Sequence, residues 1–312
     1  MGKKISFALN FILFYSIVYP LSLLPLRIIY LFTDFLYLLL RFIFPYRKKV
    51  IQKNISLSFP SKTKEEKLKL QYQFYRHFTD LLAESIKNIT ISKKELQNRF
   101  KFNNPEIVND LYLKEKNVIL VSGHYNNWEW MITSQAIGLK HHAIGIGMPL
   151  KNGFWDKVLN ARRSRFGMTI GSSSNINHLF EQHPSPYATL LLSDQSPGDE
   201  RKSYWMDFLN QQTPVIFGCE YLAHQYNHSV VYFEILKVKR GYYTVNFKLI
   251  CEDPKGLKWA EITKAHTTLL EQTILKNPSY WLWSHNRWKK SIPKDLEFLK
   301  EKQRINFEQK FN

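Results

Sequence analysis

The N-terminal segment of this chain carries no charged side chain from Ile5 to Leu26, a run of 22 residues. A helix of about 20 apolar residues is long enough to span the hydrocarbon core of a bilayer. Pro20 and Pro25 interrupt the run, and a proline inside a helix kinks or ends it. The sequence therefore predicts a membrane anchor over residues 1–46, as a kinked span, a re-entrant hairpin or an in-plane helix. A buried core hairpin is the alternative.

Basic residues flank this segment on both sides. They are Lys3 and Lys4 before it, and Arg47, Lys48, Lys49 and Lys53 after it. Basic residues next to a membrane segment favour the cytoplasmic side. We therefore expect residues 47–312 to form a second domain at the cytoplasmic face of a membrane. Cations on both flanks favour a hairpin or an in-plane helix over a single span.

The chain has a strong positive charge, with 44 Lys and Arg residues against 26 Asp and Glu residues, or +18 in net charge. Such a charge suits nucleic acid, an anionic membrane surface or an acidic protein. No nucleic-acid-binding motif occurs and the basic residues are dispersed, so we expect no nucleic-acid partner.

The two cysteines, Cys219 and Cys251, are isolated, which argues against a disulfide framework or a zinc ribbon.

Beyond residue 60 the sequence predicts alternating helices and strands. Thr63 and Glu66 form a capping box that opens a helix through about Ile89. The later strands are predicted at 118–121, 142–146, 188–192, 230–238 and 242–250, and the helices at 128–137, 154–166, 175–182, 213–225, 259–275 and 294–310, the last of them solvated. This alternation predicts an α/β fold, with a mixed sheet flanked by helices.

The segment at residues 122–130, SGHYNNWEW, carries the strongest chemical signal. It follows an apolar strand and precedes a helix, and active sites of open α/β sheets lie at the carboxyl ends of strands. His124 and Glu129 can meet if His124 lies in the loop and Glu129 in the first helical turn, with Asn126 or Asn127 as N-cap. A carboxylate bonded to one imidazole nitrogen leaves the other nitrogen as a base.

Such a pair needs a nucleophile, and the sequence offers none of the usual protein groups. There is no GxSxG elbow, and neither cysteine has an activating signature. A hydroxyl of the substrate can serve instead, attacking an activated acyl group after His124 takes its proton. HExxH is absent, and the adjoining His141 and His142 have no carboxylate motif, so we predict no metal site and no cofactor.

Several further short motifs occur one after another along the chain. They are Tyr46–Val50, Asn54, Phe59-Pro60, Arg163-x-Arg165-x-Gly167, Ser193-Asp194-Gln195, Phe208-Leu209, Thr213-Pro214 with Gly218 and Ala223, and Trp283-x-His285-x-Arg287-Trp288-Lys289. Together with His124-x4-Glu129, they resemble the late acyltransferases of lipid A biosynthesis, the lauroyl and myristoyl transferases. These enzymes belong to the HX4D/E glycerolipid acyltransferase superfamily. The resemblance covers about residues 5–290 and departs at Asn286 and Ser196-Pro197, which leaves the acceptor lipid and acyl chain open.

The resemblance implies a membrane-associated acyltransferase at the cytoplasmic face of the bacterial inner membrane. It would move a fatty acyl chain from a thioester, on acyl carrier protein or coenzyme A, to a hydroxyl of a phosphorylated glycolipid such as a lipid A precursor. In that reaction His124 is the general base and Glu129 orients it. Acyl carrier proteins are acidic, so the positive charge of the chain suits that partner as well as lipid phosphates.

Four further residues are predicted to bind substrate: Arg163, Arg165, Asp194 and Arg287. The planar fork of arginine suits phosphate, and Asp194 closes a strand on the expected side of the sheet. Alternatively, Arg163 and Arg165 belong to a solvated basic helix face, and Arg162 can substitute for either.

Other functions fit the same residues. The acceptor could be an ornithine-type aminolipid or a lysophospholipid. The same histidine and carboxylate could activate water in a lipid hydrolase. A non-enzymatic alternative is a basic, membrane-tethered binding protein.

Overall fold

The computed structural model describes residues 2–311, and it describes side chains from residue 7 onward, so those of Lys3 and Lys4 lie outside it. Residues 1 and 312, at the outer ends of the two predicted domains, also lie outside the described residues. The α-helices are α1 Gly2–Leu13, α2 Tyr19–Leu23, α3 Leu26–Phe42, α4 Lys48–Ser58, α5 Lys64–Lys87, α6 Lys93–Arg99, α7 Glu106–Leu113, α8 Trp128–Gly138, α9 Gly153–Ser164, α10 Ile176–Gln182, α11 Gly218–Tyr226, α12 Glu261–Lys276 and α13 Leu296–Phe311. The strands are β1 Phe100–Phe102, β2 Val118–Ser122, β3 His142–Gly147, β4 Thr169–Ser172, β5 Tyr187–Leu192, β6 Tyr204–Phe208, β7 Gln211–Val215, β8 Ser229–Lys239 and β9 Tyr242–Cys251.

Seven of these strands form one sheet in the order β1-β9-β8-β2-β5-β3-β4. Strands β8 and β9 are antiparallel, and every other neighbouring pair is parallel. Strands β6 and β7 form a separate antiparallel hairpin. The prediction of a mixed sheet flanked by helices is therefore confirmed.

Strand β2 lies at the centre of the sheet and is buried along its whole length. Alternate side chains of a strand point to opposite faces. Val118 and Leu120 accordingly join the apolar cluster that contains α8, whereas Ile119 and Val121 join the cluster that contains α10 and α11. Helices thus cover both faces of the sheet, and the carboxyl ends of its parallel strands are left to the connecting loops.

Most predicted elements occur where the sequence placed them, and the capping box of Thr63 and Glu66 is present at the start of α5. The predicted helix 213–225 is wrong in its first residues. Gln211–Val215 is strand β7, because it pairs with β6, and the helix begins only at Gly218. The helix near the C-terminus is not simply solvated, since Phe307 is buried against α11.

The apolar N-terminal segment folds into helices with two different faces. Helix α1 continues through a π-helical turn, Phe14–Val18, into α2, and Pro25 then precedes α3. Leu26 and Ile29 of α3 are buried in the main core, whereas Phe35 is 62% exposed. Among the helices of residues 2–311, we find none that combines the length and the apolar character needed to cross a bilayer.

Candidate active site

The catalytic candidate His124 lies in the loop that follows β2. Strand β5 runs parallel beside β2, with Ser122 paired to Leu192, so both strands end at the same edge of the sheet. Asp194 follows the end of β5 just as His124 follows the end of β2. This pairing brings together two side chains that are 70 residues apart in the sequence.

Asp194 holds His124 by two contacts. The Nδ1 atom of His124 donates to Oδ1 of Asp194 at 2.6 Å, and the backbone N–H of His124 donates to Oδ2 at 2.8 Å. Trp281 Nε1 also donates to Oδ2, at 2.8 Å. The carboxylate therefore fixes both the imidazole ring and the loop that carries it.

The protonation state of Asp194 follows from these donors. Burial raises the pKa of this carboxyl, but the charge and hydrogen bonds of His124 and the bond from Trp281 outweigh burial and lower it to about 2. An ionised Asp194 only accepts hydrogen bonds, so Nδ1 of His124 must carry the proton. The Nε2 atom is then the basic nitrogen.

The neighbours of His124 Nε2 lie in the segment after Asp194. The side-chain amide of Gln195 donates to Nε2 at 3.2 Å. The next backbone N–H, of Ser196, donates to Nε2 of His285 at 3.0 Å, which anchors this segment to the C-terminal part of the chain. The ring of Trp128 packs edge-on against His124, with centroids 5.0 Å apart. One side of the imidazole thus faces the Trp128 ring, and among residues 7–311 the hydrogen-bond partner of Nε2 is the side-chain amide of Gln195.

The predicted contact between Glu129 and His124 is wrong, because the carboxylate on His124 is that of Asp194. Glu129 lies in the first turn of α8, as predicted, and α8 packs against α9. There its oxygens accept from Arg162 Nη2 at 2.8 Å and from Arg163 Nε and Nη2 at 3.1 and 2.6 Å. Burial raises the pKa of Glu129, but the two guanidinium groups outweigh it and lower the pKa to about 2.

The two arginines predicted to bind phosphate both have partners within the protein. Arg163 makes the ion pair with Glu129. Arg165 donates to the carbonyl oxygens of Ile89, at 2.5 Å, and Ile91, just beyond the end of α5. Their role in substrate binding remains a prediction. In this structure the guanidinium group of each arginine already makes two hydrogen bonds within the protein.

Arg287 is almost fully buried, at 1% exposure. Its Nη2 donates to the carbonyl oxygen of Pro214 at 2.7 Å, and among the described residues its Nε and Nη1 atoms have no hydrogen-bond partner. Burial lowers the pKa of Arg287 to about 10, against the opposing charge of Asp194. The guanidinium is therefore a buried positive charge that interacts with the charge of Asp194, and its contact with substrate remains a prediction.

The loop between His124 and α8 is held by residues that sequence reasoning missed. Asn127 is the N-cap of α8, as predicted, and its Oδ1 accepts from the N–H of Trp130 at 2.9 Å. Its Nδ2 donates to the buried carboxylate of Glu84 at 2.5 Å. Glu84 also accepts from the hydroxyl of Tyr30 at 2.6 Å and from that of Tyr243. The only sequence signal for this group of hydrogen bonds is Glu84 itself, an acidic residue on the apolar face of the predicted helix α5.

No group of three or more His, Cys, Asp or Glu residues in the described part of the chain is arranged to hold a metal ion. The site has the parts of a general-base centre: an imidazole, a buried carboxylate that fixes its tautomer, and a second ring nitrogen whose partner is the side-chain amide of Gln195. Among residues 7–311, no serine or cysteine side chain forms a hydrogen bond with His124.

A comparison with protein families matches residues 5–290 to the bacterial lipid A biosynthesis acyltransferases. A search of curated proteins found no match to the chain. The matched range includes the apolar N-terminal segment, the His124 loop, the Asp194 segment and the tryptophan-rich segment near residue 285. The chain therefore belongs to the bacterial lipid A biosynthesis acyltransferase family and is an acyltransferase.

Proposed function

We propose that the protein transfers a fatty acyl chain from an acyl thioester, on acyl carrier protein or coenzyme A, to a hydroxyl of a phosphorylated lipid A precursor. The observation that carries this proposal is the 2.6 Å contact between His124 Nδ1 and Asp194 Oδ1. It leaves Nε2 as a base for the acceptor hydroxyl. The family supports an acceptor of the lipid A type.

In the proposed reaction, His124 Nε2 takes the proton of the acceptor hydroxyl while its oxygen attacks the thioester carbonyl carbon. A carbon–oxygen bond forms between acceptor and acyl group, and the π electrons of the thioester carbonyl move onto the carbonyl oxygen. The imidazolium that results is paired with Asp194, which is already ionised. When the intermediate collapses, the carbon–sulfur bond breaks and the imidazolium gives its proton to the thiolate. General-base catalysis of this kind contributes about 10²–10⁴-fold.

Glu129 supports this reaction in a different way from the one that spacing suggested. It neutralises part of the charge of Arg162 and Arg163 at the start of α8, the helix that the catalytic loop enters. Without it, two guanidinium groups would be left close together with little exposure, a costly arrangement. We therefore place Glu129 in the site as the residue that holds α9 against α8.

Membrane association is the second part of the proposal. Large apolar side chains of the first helices and the turn after them are exposed: Phe7, Leu9, Phe11, Ile12, Tyr15, Ile17, Leu23, Ile28, Leu31, Phe32, Phe35, Leu38, Phe42, Ile43 and Phe44. An exposed apolar surface of this extent marks a protein or membrane interface. Together with the basic residues at 47–53, it supports an in-plane anchor at the cytoplasmic face of the bacterial inner membrane.

The transfer reaction can be tested with purified full-length protein in detergent. Labelled acyl carrier protein thioester and an under-acylated lipid A precursor are the substrates, and mass spectrometry of the products is the readout. We expect one new ester on the precursor, and a loss of at least about 10²-fold for His124→Ala. Lys64→Gln, an exposed change on α5, is the control. Labelled free fatty acid without acylated acceptor would instead show a hydrolase.

The same assay separates the possible acceptors. Ornithine-type lipids and lysophospholipids should be poor acceptors beside the lipid A precursor, and a reversed preference would contradict the proposal. Replacing the carrier-protein thioester with the coenzyme A thioester of the same fatty acyl group shows which donor the enzyme uses.

Membrane association is tested by flotation with vesicles of phosphatidylethanolamine and phosphatidylglycerol. Phe35→Glu on α3 should weaken flotation, because it places a charge on the surface proposed to enter the membrane. Leu113→Glu is a matched control, since Leu113 is similarly exposed on α7. Equal flotation of both variants and the wild type would argue against this surface.

A further inference from the structure

A cavity of about 650 Å³ opens between α3 and α5. We call it the α3–α5 cleft. Its lining includes Tyr37, Arg41, Lys69, Tyr72, Arg76 and Lys237. Tyr280, in the 3₁₀ turn Pro278–Tyr280, forms part of the opposite wall. The volume lies in the range of cavities that bind small molecules, which is about 300–1,000 Å³.

The lining of the cleft has four basic residues and one carboxylate, Glu65. Two of the basic residues are already paired: Arg76 Nη1 lies 2.8 Å from Asp34, and Lys237 Nζ lies 3.0 Å from Asp80. Arg240 contacts the same two aspartates, so these acids and bases form one internal network. The positive charge that remains for a ligand is that of Arg41 and Lys69.

Arg41 is held in place without a carboxylate. Its guanidinium lies 4.4 Å from the ring centroid of Tyr72 and 4.8 Å from that of Phe42. Its Nη1 donates to the hydroxyl of Tyr37 at 3.1 Å. Among residues 7–311, no acidic side chain forms an ion pair with Arg41 or with the exposed Lys69. A guanidinium that is stacked and still has free N–H groups is prepared to bind an oxyanion with little loss of side-chain freedom.

The cleft lies between two features that an amphipathic lipid must reach. Arg41 and Phe42 are neighbours on α3, and Phe42 belongs to the exposed apolar surface proposed to enter the membrane. On the other side, the carbonyl oxygen of Tyr280 accepts from the N–H of Asn126 at 3.0 Å. The next residue, Trp281, donates to the Asp194 carboxylate. The wall of the cleft is thus continuous with the segment that holds the catalytic loop.

From this position and this chemistry, we propose that the α3–α5 cleft binds the phosphorylated sugar headgroup of the acceptor glycolipid. Arg41 and Lys69 contact the phosphate, and Tyr37, Tyr72 and Tyr280 supply flat surfaces for the sugar ring. The acyl chains of the acceptor then lie along the exposed face of α3. This inference rests on the proposed function, because it concerns the acceptor of that reaction.

The first test measures binding alone, without an acyl donor. Full-length protein in detergent is titrated with glucosamine 1-phosphate and, separately, with glucosamine, and binding is followed by ligand-observed NMR. We expect the phosphorylated sugar to bind more tightly. Arg41→Gln and Lys69→Gln should each weaken its binding about tenfold, the effect of one lost hydrogen bond to a charged group. Lys64→Gln removes an exposed charge from the same helix, α5, and should change nothing.

The second test is kinetic and uses acceptors with and without phosphate. Arg41→Gln and Lys69→Gln should raise the KM for the phosphorylated acceptor and leave that for the dephosphorylated acceptor, the donor KM and kcat close to wild type. Equal losses with both acceptors would overturn the proposal. So would unchanged binding of glucosamine 1-phosphate by both variants.

A third arm separates the acceptor phosphate from phospholipid headgroups. If the two variants bind glucosamine 1-phosphate normally but lose binding to phosphatidylglycerol vesicles, the cations contact the membrane and the inference is overturned. The proposed function fails differently. In that case wild type would bind the sugar phosphate in the cleft and yet transfer no acyl chain to the precursor.

Discussion

Replacing Asp194 with asparagine tests the division of roles between the two carboxylates. Oδ2 of Asp194 accepts two N–H groups, from His124 and Trp281, and Oδ1 accepts one, from His124 Nδ1. Asparagine has a single acceptor oxygen, and two N–H donors are better satisfied if that oxygen takes the Oδ2 position. Its NH₂ group then faces Nδ1. The imidazole must carry its proton on Nε2, where it can no longer act as a base.

The size of the effect can be worked from the pKa of Asp194. Its value of about 2, against the ordinary 3.8, means that the surroundings favour the ionised carboxylate. At about 1.4 kcal/mol per unit, this preference is about 2–3 kcal/mol, or about 50-fold in rate if all of it is lost in the transition state. The reversed tautomer adds to this loss, and in Ser-His-Asp enzymes the same change lowers kcat about 10⁴-fold. We therefore expect kcat to fall between about 10² and 10⁴-fold.

The assay is single-turnover acyl transfer from a carrier-protein thioester at saturating acceptor. Wild type, Asp194→Asn and Glu129→Gln are compared, with circular dichroism to confirm folding. NMR of ¹⁵N-labelled histidine reports the tautomer of His124 directly. If Asp194→Asn keeps kcat within about threefold of wild type while Glu129→Gln is inactive, the carboxylate that serves His124 is that of Glu129 and not that of Asp194.

Three further predictions concern stability and access to the base. Burial raises the pKa of Glu84 to about 7, so its contribution to stability is complete below its ordinary pKa of 4.5 and is lost as pH rises through 7. We expect up to about 3 kcal/mol of this loss between pH 5 and 8 in wild type and little of it in Glu84→Gln, measured as the difference between their unfolding curves. Gln195→Ala removes the amide that competes with the acceptor for His124 Nε2, so the acceptor KM should fall about threefold to tenfold with kcat nearly unchanged, and a large drop in kcat would contradict this. Phe307→Ala should weaken the docking of α13 on α11 by about 3–5 kcal/mol, seen as faster hydrogen exchange in α13 alone.

The elements of the fold were predictable where local pattern decides them. The all-apolar run at β2 and the capping box at Thr63 depend on neighbours in sequence, and both were predicted correctly. The hairpin β6–β7 was not predicted, because Gln211–Val215 becomes a strand only through pairing with another segment. The helical pattern that starts at Gly218 gives no local sign of where the helix begins, so the sequence predicts a helix over the strand residues as well.

The partner of His124 was missed for a related reason. Motif spacing compares residues that are close in sequence, and Glu129 is the nearest carboxylate to His124. Which strands lie side by side is set by tertiary packing, and only the adjacency of β2 and β5 brings Asp194 to the imidazole. The sequence did contain one usable sign: both residues come just after a predicted strand, and such residues meet at one edge of a parallel sheet.

The arginines show the limit of reasoning from side-chain chemistry. A guanidinium fork suits phosphate, carboxylates and backbone carbonyls alike, so its preference does not identify its partner. In the fold, Arg163 meets Glu129 and Arg165 meets the carbonyl oxygens beyond α5. Arg41 and Lys69, which sequence reasoning did not single out, keep their charges available.

The two faces of α3 explain why the N-terminal segment resisted a simple interpretation as either anchor or core. The face with Phe35 is exposed, and it supports the proposal of an in-plane anchor. On the opposite side, the hydroxyl of Tyr30 donates to Glu84, and Glu84 in turn accepts from Asn127, the N-cap of α8. One buried carboxylate therefore links α3 to the loop of His124 by hydrogen bonds. Hydropathy averages both faces into a single apolar run, so it cannot reveal that the surface proposed to meet the lipid and the support of the catalytic loop belong to one helix.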